Sequence, residues 1–383
     1  MKNLRKVLCV TMAAAMTTAL ALPAAVFADD TFHIGMIGPI TGAAAIYGSA
    51  VANAGQLAVD EINEAGGIAG FQVEYTAEDD EHDAEKSVNA YNSLKDKGMQ
   101  MLLGTVTSAP CIAVEAEAAA DNMFLLTPSG TAVECIQAGD NAFRVCFSDP
   151  AQGTAAAQYI GEHGLAEKVG VLYNSSDVYS TGVYATFRAE AENQPFEIVE
   201  DQSFTDDSNK DFSTQLLAFK DAGCELIFVP FYYDPAYLVL GQAADMGLET
   251  KWFGVDGMDG ILSVENFDTS LAEDVMLLTP FSVSAEDELT QNFVAKYKEL
   301  YGDEPNQFAA DAYDGVYIMK QAIEQAGVTP DMSYSEICDA LKTAMTEIEF
   351  TGVTGTITWD ASGEPTKAPM AVVIKNGAYE LMD

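Results

Sequence analysis

The sequence predicts an α/β protein of two similar lobes, each built on a mainly parallel sheet. Short apolar runs alternate with amphipathic stretches of roughly 10 to 20 residues, the pattern typical of βαβ units. This rhythm pauses near residue 147 and then starts again. The chain also has 383 residues, whereas single cores rarely grow beyond roughly 250 to 300 residues. We therefore expect two Rossmann-like lobes.

The first half alternates strands and helices from residue 33 onwards. Its predicted strands are 33–38, 71–76, 101–103, 123–126 and 143–147, with helices at 46–64, 84–97 and 110–121. The first helix turns Leu57, Val59 and Ile62 towards a core and ends at Gly66-Gly67.

The second half opens with Asp149-Pro150-Ala151-Gln152, a helix-start pattern with Asp as the cap, Pro at the first helical position and Gln three residues after the cap. That helix runs to Gly161, and further helices are predicted at 182–192, 212–222 and 235–246. The strands between them are predicted at 169–173, 196–200, 226–229 and 252–254. A second sheet of similar size follows from this pattern.

The tail departs from the alternation. It contains a strand at 275–278, helices at 286–301, 308–325 and 333–343, and β segments at 354–359, 371–374 and 379–381. Stretches near 143–147, 277–281 and 355–358 are placed where the chain can pass between the halves. Three crossings would form a hinge, with lobes of 29–147 plus 281–355 and of 148–280 plus 356–383.

The amino terminus predicts export, and the charge excludes several functions. Residues 1–28 combine a basic start, an apolar run and Val26-Phe27-Ala28 as a small-residue cleavage site, which is typical of a secretory signal peptide. We expect the protein in a periplasm or at the extracellular face. The 59 acidic and 18 basic residues give a net charge of −41, which argues against binding DNA, RNA or anionic lipid.

Two loops of the first half offer a site for a carboxylate. Ligands of open parallel sheets bind beyond the carboxyl ends of strands. The loop after the third strand carries Ser108, and the loop after the fourth carries Ser129, Gly130 and Thr131. Hydroxyls and free backbone N–H groups at helix starts suit an anion. An equally good interpretation is that Ser108 and Thr131 only cap helices. Only Arg144 and Arg188 follow the signal peptide, so an arginine clamp has few candidates.

Loops of the second half supply aromatic and acidic groups. Tyr179, Tyr232 and Tyr233 follow predicted strands, and Asp234 and Asp256 can hold an ammonium group. For Asp234, capping the helix that begins at Pro235 is the preferred interpretation. Tyr47, after the first strand, faces the same cleft if the two halves oppose each other.

Catalytic, metal and cofactor sites are poorly supported. None of the three histidines has a nucleophile elbow or an HExxH partner, and the glycines at 35, 38 and 42 fit no nucleotide-binding pattern. The acidic run 78–83 lacks EF-hand spacing and is predicted to be a solvated loop rather than a Ca²⁺ site. After Cys9 leaves with the signal, five cysteines remain, which allows one bridge and leaves at least one thiol unpaired. We predict no enzyme, cofactor or metal.

Several segments together resemble one protein family. They are HIGMIGPITGAAAIYG, AVDEINEAGGIAG, EDDEHDAEKSVNAYNSL, LLTPSGTA with AFRVCFSDPAQG, KDFSTQLLAFKDAG, AADMGLETKWFGVDG and ITWDASGEP. In this order and spacing, the chain is similar over its whole mature length to type I periplasmic solute-binding proteins of ABC importers, in particular the branched-chain amino-acid family. The resemblance implies two lobes joined by three crossovers, which close on one small molecule and deliver it to an ABC permease.

The resemblance also assigns roles to the candidate residues. It implies that Ser108 and Thr131 hold a ligand carboxylate, and that the carbonyl near Ser129 and the acid Asp256 hold an α-ammonium. It places Tyr47, Tyr179 and Tyr233 or its neighbour Tyr232 around the ligand side chain. The chain departs from leucine-type members at Asp256, where they carry Glu, and at His82 and Thr107, where they carry a disulfide.

The expected function is therefore that of a monomeric solute-binding protein for a branched-chain or other apolar or aromatic amino acid. The alternatives are a binding protein for an aromatic acid, an amide or a urea-like molecule and, from a different class, a secreted α/β hydrolase.

Overall fold

The computed structural model describes residues 31–382, and the predicted signal peptide lies outside the described residues. The first lobe is built on five strands: β1 (Thr31–Gly38), β2 (Gln72–Asp79), β3 (Met101–Gly104), β4 (Phe124–Thr127) and β5 (Ala142–Arg144). Their order is β2-β1-β3-β4-β5, and all pairs are parallel. The helices that alternate with them are α1 (Ala45–Glu64), α2 (Ala84–Asp96) and α3 (Ser108–Asp121).

The second lobe alternates in the same way. Its parallel strands are β6 (Lys168–Asn174), β7 (Glu197–Phe204), β8 (Leu226–Val229), β9 (Lys251–Gly254) and β10 (Met276–Thr279). Its helices are α4 (Asp149–Glu162), α5 (Val178–Ala191), α6 (Ser213–Ala222) and α7 (Tyr233–Asp245). Strands β3, β4 and β8 are buried along their whole length, which explains why they are continuous apolar runs.

The tail contributes to both lobes. Helices α8 (Glu288–Tyr301), α9 (Gln307–Ala326) and α10 (Tyr334–Met345) follow β10, and α9 packs against α1 of the first lobe. There the hydroxyls of Tyr313 and Tyr317 both donate to Glu61. After the hairpin of β11 (Phe350–Gly352) and β12 (Gly355–Ile357), strands β13 (Met370–Lys375) and β14 (Ala378–Leu381) join the second sheet.

The second sheet has seven strands in the order β14-β13-β10-β9-β8-β6-β7. Its parallel part has five strands, as many as the first sheet, and the tail adds two more. Strands β13 and β14 are antiparallel to their neighbours because the tail returns to this edge as a hairpin rather than through a helical crossover. Within the predicted β segment at 354–359, Gly355–Ile357 forms β12, which pairs with β11 as a hairpin.

Three connections join the lobes, at 145–148, 280–287 and 358–369. The first and third lie side by side. The backbone N–H of Arg144 donates to the carbonyl of Gly363 at 3.2 Å, and the indole N–H of Trp359 donates to the carbonyl of Arg144 at 2.7 Å. A buried ion pair between Lys367 and Asp311 ties the third connection to α9, with Nζ and Oδ1 2.7 Å apart.

Two predicted helix caps are wrong. Helix α4 already includes Asp149, and Ser148 is the residue that precedes it. Helix α7 similarly includes Asp234 and follows Tyr232, and Asp234 instead lies 3.5 Å from Lys210. The Asp-Pro pair sits one residue deeper in the helix than predicted at Asp149, and two residues deeper at Asp234. The carboxyl groups are therefore free for contacts other than capping.

The structure tests the predictions about disulfides and membrane-spanning segments. Cys111, Cys135, Cys146, Cys224 and Cys338 are all buried and free, so the bridge that the cysteine count allows is not formed. Among residues 31–382, no helix is both long and apolar enough to cross a membrane.

Candidate ligand-binding site

The two hydroxyl-bearing loops meet at the carboxyl ends of neighbouring strands, as predicted. Ser108 is the first residue of α3, and its Oγ lies 3.5 Å from Oγ1 of Thr131 in the loop after β4. The same Ser108 Oγ accepts the backbone N–H of Ala132 at 3.2 Å. Both hydroxyl residues are only 1% exposed. Neither side chain caps its helix, so the capping interpretation of Ser108 and Thr131 was wrong.

Hydrogen bonds between the two loops fix this arrangement. The Thr127 hydroxyl donates to the carbonyl of Thr105 at 2.6 Å, and the Ser129 hydroxyl donates to the carbonyl of Val106 at 2.7 Å. Gly130 packs so closely that a Cβ there would lie 2.8 Å from Thr127 Oγ1, which only glycine avoids. The Ser129 hydroxyl is thus used inside the loops, and Gly130 permits their close approach.

Arg144 supports the loop from within the protein. Its buried guanidinium group donates to the carbonyls of Gly130, Thr131 and Ala132 at 3.1, 2.7 and 3.1 Å, and it pairs with Glu364 at 3.2 Å. The other candidate, Arg188, is exposed and bonded to Asp201. Both arginines therefore have protein partners, and a ligand anion at these loops would rest on hydroxyl and backbone N–H groups.

Asp256 provides the acidic group of the second lobe. It follows β9, and its Oδ1 accepts the hydroxyl of Tyr179 and the backbone N–H of Gly257, both at 2.7 Å. Burial raises the pKa of this carboxyl to about 7, against the opposing effect of these hydrogen bonds. The group is therefore poised between its neutral and ionised forms near neutral pH.

The four predicted tyrosines form a continuous aromatic wall across the cleft. Tyr47 of the first lobe stacks on Phe308 at 4.1 Å and meets Tyr233 of the second lobe edge-on at 4.9 Å. Tyr232 stacks on Tyr179 at 4.9 Å. The Tyr47 hydroxyl donates to the carbonyl of Gly257 and accepts the backbone N–H of Tyr233 at 3.1 Å. The lobes thus touch directly through this wall.

The first turn of α4 connects the hydroxyl loops to Asp256. The backbone N–H of Asp149 donates to the carbonyl of Thr131 at 2.9 Å, and the side-chain Oε1 of Gln152 accepts the backbone N–H of Asp256 at 3.1 Å. Sequence reasoning assigned Asp149 and Gln152 to helix starting alone. Their type was visible in the sequence, but their contacts with distant loops were not.

His82 and Thr107 contact each other at the edge of the cleft. His82 Nδ1 lies 2.8 Å from Thr107 Oγ1, and the imidazole ring meets Tyr232 edge-on at 5.5 Å. A cavity of about 70 Å³ is lined by His82 and Tyr232 together with Asn174 and Asp177. His82 therefore contacts a residue from the opposite lobe.

The acidic run 78–83 spans the end of β2 and the loop before α2, and the prediction of a solvated loop was wrong for Asp80. Asp79 accepts the backbone N–H of Ile40 at 2.9 Å, Asp80 is fully buried, and Asp83 caps α2. Within the described part of the chain, no group of three or more His, Cys, Asp or Glu side chains is arranged to hold a metal ion.

Comparisons with known proteins agree with this fold. The sequence model of a family described as "Periplasmic binding protein" matches residues 31–377. The Leu/Ile/Val-binding protein homolog 1 of Brucella abortus (strain 2308) is 27% identical over 367 residues, or 94% of each chain. The branched-chain amino acid transporter substrate binding protein LivJ from Streptococcus pneumoniae, solved with isoleucine, is 31% identical, with a TM-score of 0.83 over 91% of this chain and 98% of that one.

One further structure is similar in fold alone. It is a solute-binding protein of an ABC transporter from R. palustris in complex with benzoate, 19% identical, with a TM-score of 0.82 over 92% of this chain and 95% of that one.

Proposed function

The chain belongs to the periplasmic binding protein family, and on that premise we propose that its cleft binds one amino acid, with a branched-chain amino acid as the first candidate. It is a substrate-binding protein of an ABC importer rather than an enzyme, and it works outside the cytoplasm. The Brucella and Streptococcus relatives, by their names, bind branched-chain amino acids, which supports the choice of ligand.

The observation that carries the proposal is that the first turn of α4 contacts both the hydroxyl-bearing loop of Thr131 and the backbone of the acidic residue Asp256. Asp149 contacts the loop of Thr131, and Gln152 contacts the backbone of Asp256. A site with hydroxyl and N–H donors beside a carboxylate matches an α-amino acid, which carries a carboxylate and an ammonium on one carbon. In this proposal the ligand carboxylate is held by Ser108 and Thr131.

The remaining groups complete the site. The ligand ammonium is held by Asp256 and by the carbonyl of Ser129, while Gly130 keeps the loop close to the ligand. The ligand side chain lies among aromatic rings, a suitable lining for an apolar group. These rings belong to Tyr47, Tyr179, Tyr232 and Tyr233.

The lobes close on this ligand by bending at their connections. We assign residues 29–147 and 281–355 to one lobe and residues 148–280 and 356–383 to the other, with residues 1–28 as a signal peptide that directs export. The protein acts as a monomer, and the permease recognises the closed form. Closure removes water, which strengthens the hydrogen bonds to the ligand.

An aromatic acid is the second candidate ligand. The benzoate complex has the same fold, and a carboxylate held beside aromatic rings would need no ammonium partner. The two candidates differ in their dependence on Asp256, since only an amino acid uses it.

The test is a calorimetric and thermal-shift screen of amino acids, aromatic acids and amides. We expect L-leucine, L-isoleucine or L-valine to bind at micromolar Kd or tighter and to stabilise the protein by a few kcal/mol at saturation. Asp256→Ala and Thr131→Ala should each weaken binding about tenfold or more while the protein stays folded. Unchanged affinity in both variants would place the ligand elsewhere, and loss in Thr131→Ala alone would favour an aromatic acid.

A further inference from the structure

The backbone of Asp256 is held from both sides by glutamine side chains. Its N–H donates to Oε1 of Gln152 at 3.1 Å, and its carbonyl accepts Nε2 of Gln307 at 2.7 Å. Gln152 lies on α4 of the second lobe, as Asp256 does, whereas Gln307 is the first residue of α9, which packs against α1 of the first lobe. The hydrogen bond from Gln307 therefore crosses between the lobes, and it can form only when they are close together.

A second hydrogen bond crosses between the lobes at the same place. The backbone N–H of Gln307 donates to Oδ2 of Asp259 at 2.8 Å, while Oδ1 of Asp259 accepts the backbone N–H of Gly260 at 2.8 Å. The first N–H groups of a helix have no partner within the helix, and a carboxyl oxygen can accept one. Asp259 of the second lobe thus provides a partner for the start of α9. We call the two hydrogen bonds from Gln307 to Asp256 and Asp259 the Gln307 joint.

The Gln307 joint is buried, but open space borders it. Gln307 is 2% exposed and Asp259 is 5% exposed, so water does not compete for either hydrogen bond in this arrangement. Cavities of about 270 and 210 Å³ are both lined by Ser263 of the second lobe and by Asn306, the residue that precedes α9. The lobes are therefore not packed continuously on this side, and the hydrogen bonds of Gln307 connect them across it.

We propose that Gln307 is a positioning residue for ligand capture: as the lobes close, it binds the backbone carbonyl of Asp256 and the carboxyl group of Asp259, and so stabilises the closed form with Asp256 held at the ligand. This inference rests on the proposed function, in which Asp256 holds the ligand ammonium and the lobes bend at their connections. Gln307 need not touch the ligand. A contact that exists only in the closed form slows the release of the ligand and leaves its entry unaffected.

Two substitutions, one in each lobe, test the joint. Gln307→Met keeps the length of the side chain but cannot donate to the carbonyl of Asp256, and Asp259→Ala removes the acceptor for the N–H of Gln307. We expect each to raise the Kd for L-leucine about fivefold to tenfold. Stopped-flow kinetics should show that the increase comes from faster dissociation, with an unchanged association rate. Losses that come from slower association in both variants would overturn the proposal.

Gln321→Met is the matched control. Gln321 also lies on α9, and its Nε2 donates to a backbone carbonyl, that of Glu349, at 3.1 Å. Both residues of this hydrogen bond lie in the tail segment assigned to the first lobe, so the bond does not depend on closure. The variant should bind and release L-leucine at the rates of the wild type. A loss equal to that of Gln307→Met would overturn a role that depends on contact between the lobes.

X-ray scattering of the ligand-free protein separates this inference from the proposed function. The joint stabilises the closed form with or without a ligand, so Gln307→Met should have a larger radius of gyration than the wild type and Gln321→Met. A wild type that binds none of the screened amino acids, aromatic acids or amides would overturn the proposed function, and the radius alone would then decide on the joint. A Gln307→Met protein with the dissociation rate and the radius of the wild type would overturn the inference.

Discussion

His82 Nδ1 and Thr107 Oγ1, 2.8 Å apart, join the loop after β2 to the start of α3. Leucine-type members of the resembling family carry a disulfide between these two segments. Here a hydrogen bond occupies that place, and the five cysteines of the described chain are free and buried elsewhere. The fold of this chain therefore does not depend on oxidation at this point.

We expect His82→Cys combined with Thr107→Cys to form a disulfide. The bridge would close a loop of about 25 residues and stabilise the protein by about 3 kcal/mol through the unfolded state. Thermal unfolding with and without reductant measures the effect. The matched control is His82→Ser with Thr107→Ser, which should be insensitive to reductant. A double-cysteine variant with the same Tm in both conditions would contradict the expectation.

Tyr47→Phe should destabilise the closed arrangement. The variant keeps the ring stacked on Phe308 but leaves the carbonyl of Gly257 and the N–H of Tyr233 without their partner. We expect L-leucine to bind about tenfold more weakly, from the loss of about 1 to 2 kcal/mol, and the ligand-free protein to have a larger radius of gyration in X-ray scattering.

Tyr301→Phe is the control for that variant. The Tyr301 hydroxyl donates to the carbonyl of Asn53 at 2.8 Å, within the first lobe. It should leave affinity and radius unchanged, and an equal loss in both variants would rule out a specific effect between the lobes.

Asp256 should make ligand binding depend on pH. Its pKa of about 7 means that below this pH the ligand ammonium must displace a proton, so affinity for L-leucine should rise from about pH 6 to about pH 8. Calorimetry at about pH 6 in buffers of different ionisation enthalpy should detect proton release. Asp256→Asn should abolish both effects, and equal affinity at the two pH values in the wild type would contradict the assignment.

Asp256 should also make the stability of the ligand-free protein depend on pH. This stability should fall as pH rises, whereas the affinity for the ligand should increase. The folded protein holds the Asp256 proton up to about pH 7, whereas an unfolded chain releases it near pH 4. The folded state therefore binds more protons between these values, and the contribution of Asp256 to ligand-free stability falls as pH rises through this window. The difference in Tm between wild type and Asp256→Asn, measured across that window, checks the sign.

Lys367→Met should be strongly destabilising. Lys367 and Asp311 are 3% and 2% exposed, and removal of one partner of a buried pair costs about 3 to 5 kcal/mol. Burial raises the pKa of Asp311 to about 6, so the loss should be smaller at about pH 5, where Asp311 is neutral.

Urea unfolding measures the loss in Lys367→Met. The control, Lys320→Met, removes a partly exposed ion pair with Glu324, and it should cost less than about 1 kcal/mol. Adding Asp311→Leu to Lys367→Met should recover part of the stability, and a further loss instead would contradict the charge-based explanation.

Much of the site follows from local sequence signals. The apolar runs identify the strands, and the rule that ligands bind beyond carboxyl ends of parallel strands leads to the loops of Ser108 and Thr131. These loops do lie together. The same rule brought Tyr179 and Asp256 to one place, where they are hydrogen-bonded.

The features that local sequence signals do not predict share one physical cause. They depend on contacts between segments that are far apart in sequence. Asp149 resembles a helix cap because Pro follows it, and only the packing of α5 and the Thr131 loop shows that its carboxyl is buried instead. His82 and Thr107 stand 25 residues apart, and their closeness was implied by the family resemblance rather than by any periodic signal. The antiparallel β13 and β14 were predicted as strands, but their addition to one sheet depends on the chain path.

The backbone of Arg144 is hydrogen-bonded both to Gly363 and to Trp359. Two of the three connections between the lobes are therefore held side by side by hydrogen bonds. If one lobe twisted or slid relative to the other, these hydrogen bonds would break. Rotation of the lobes about an axis through the hydrogen bonds would preserve them. We therefore expect the lobes to open and close by rotation about one axis. The surface presented to the transporter would then be the same in every closed molecule.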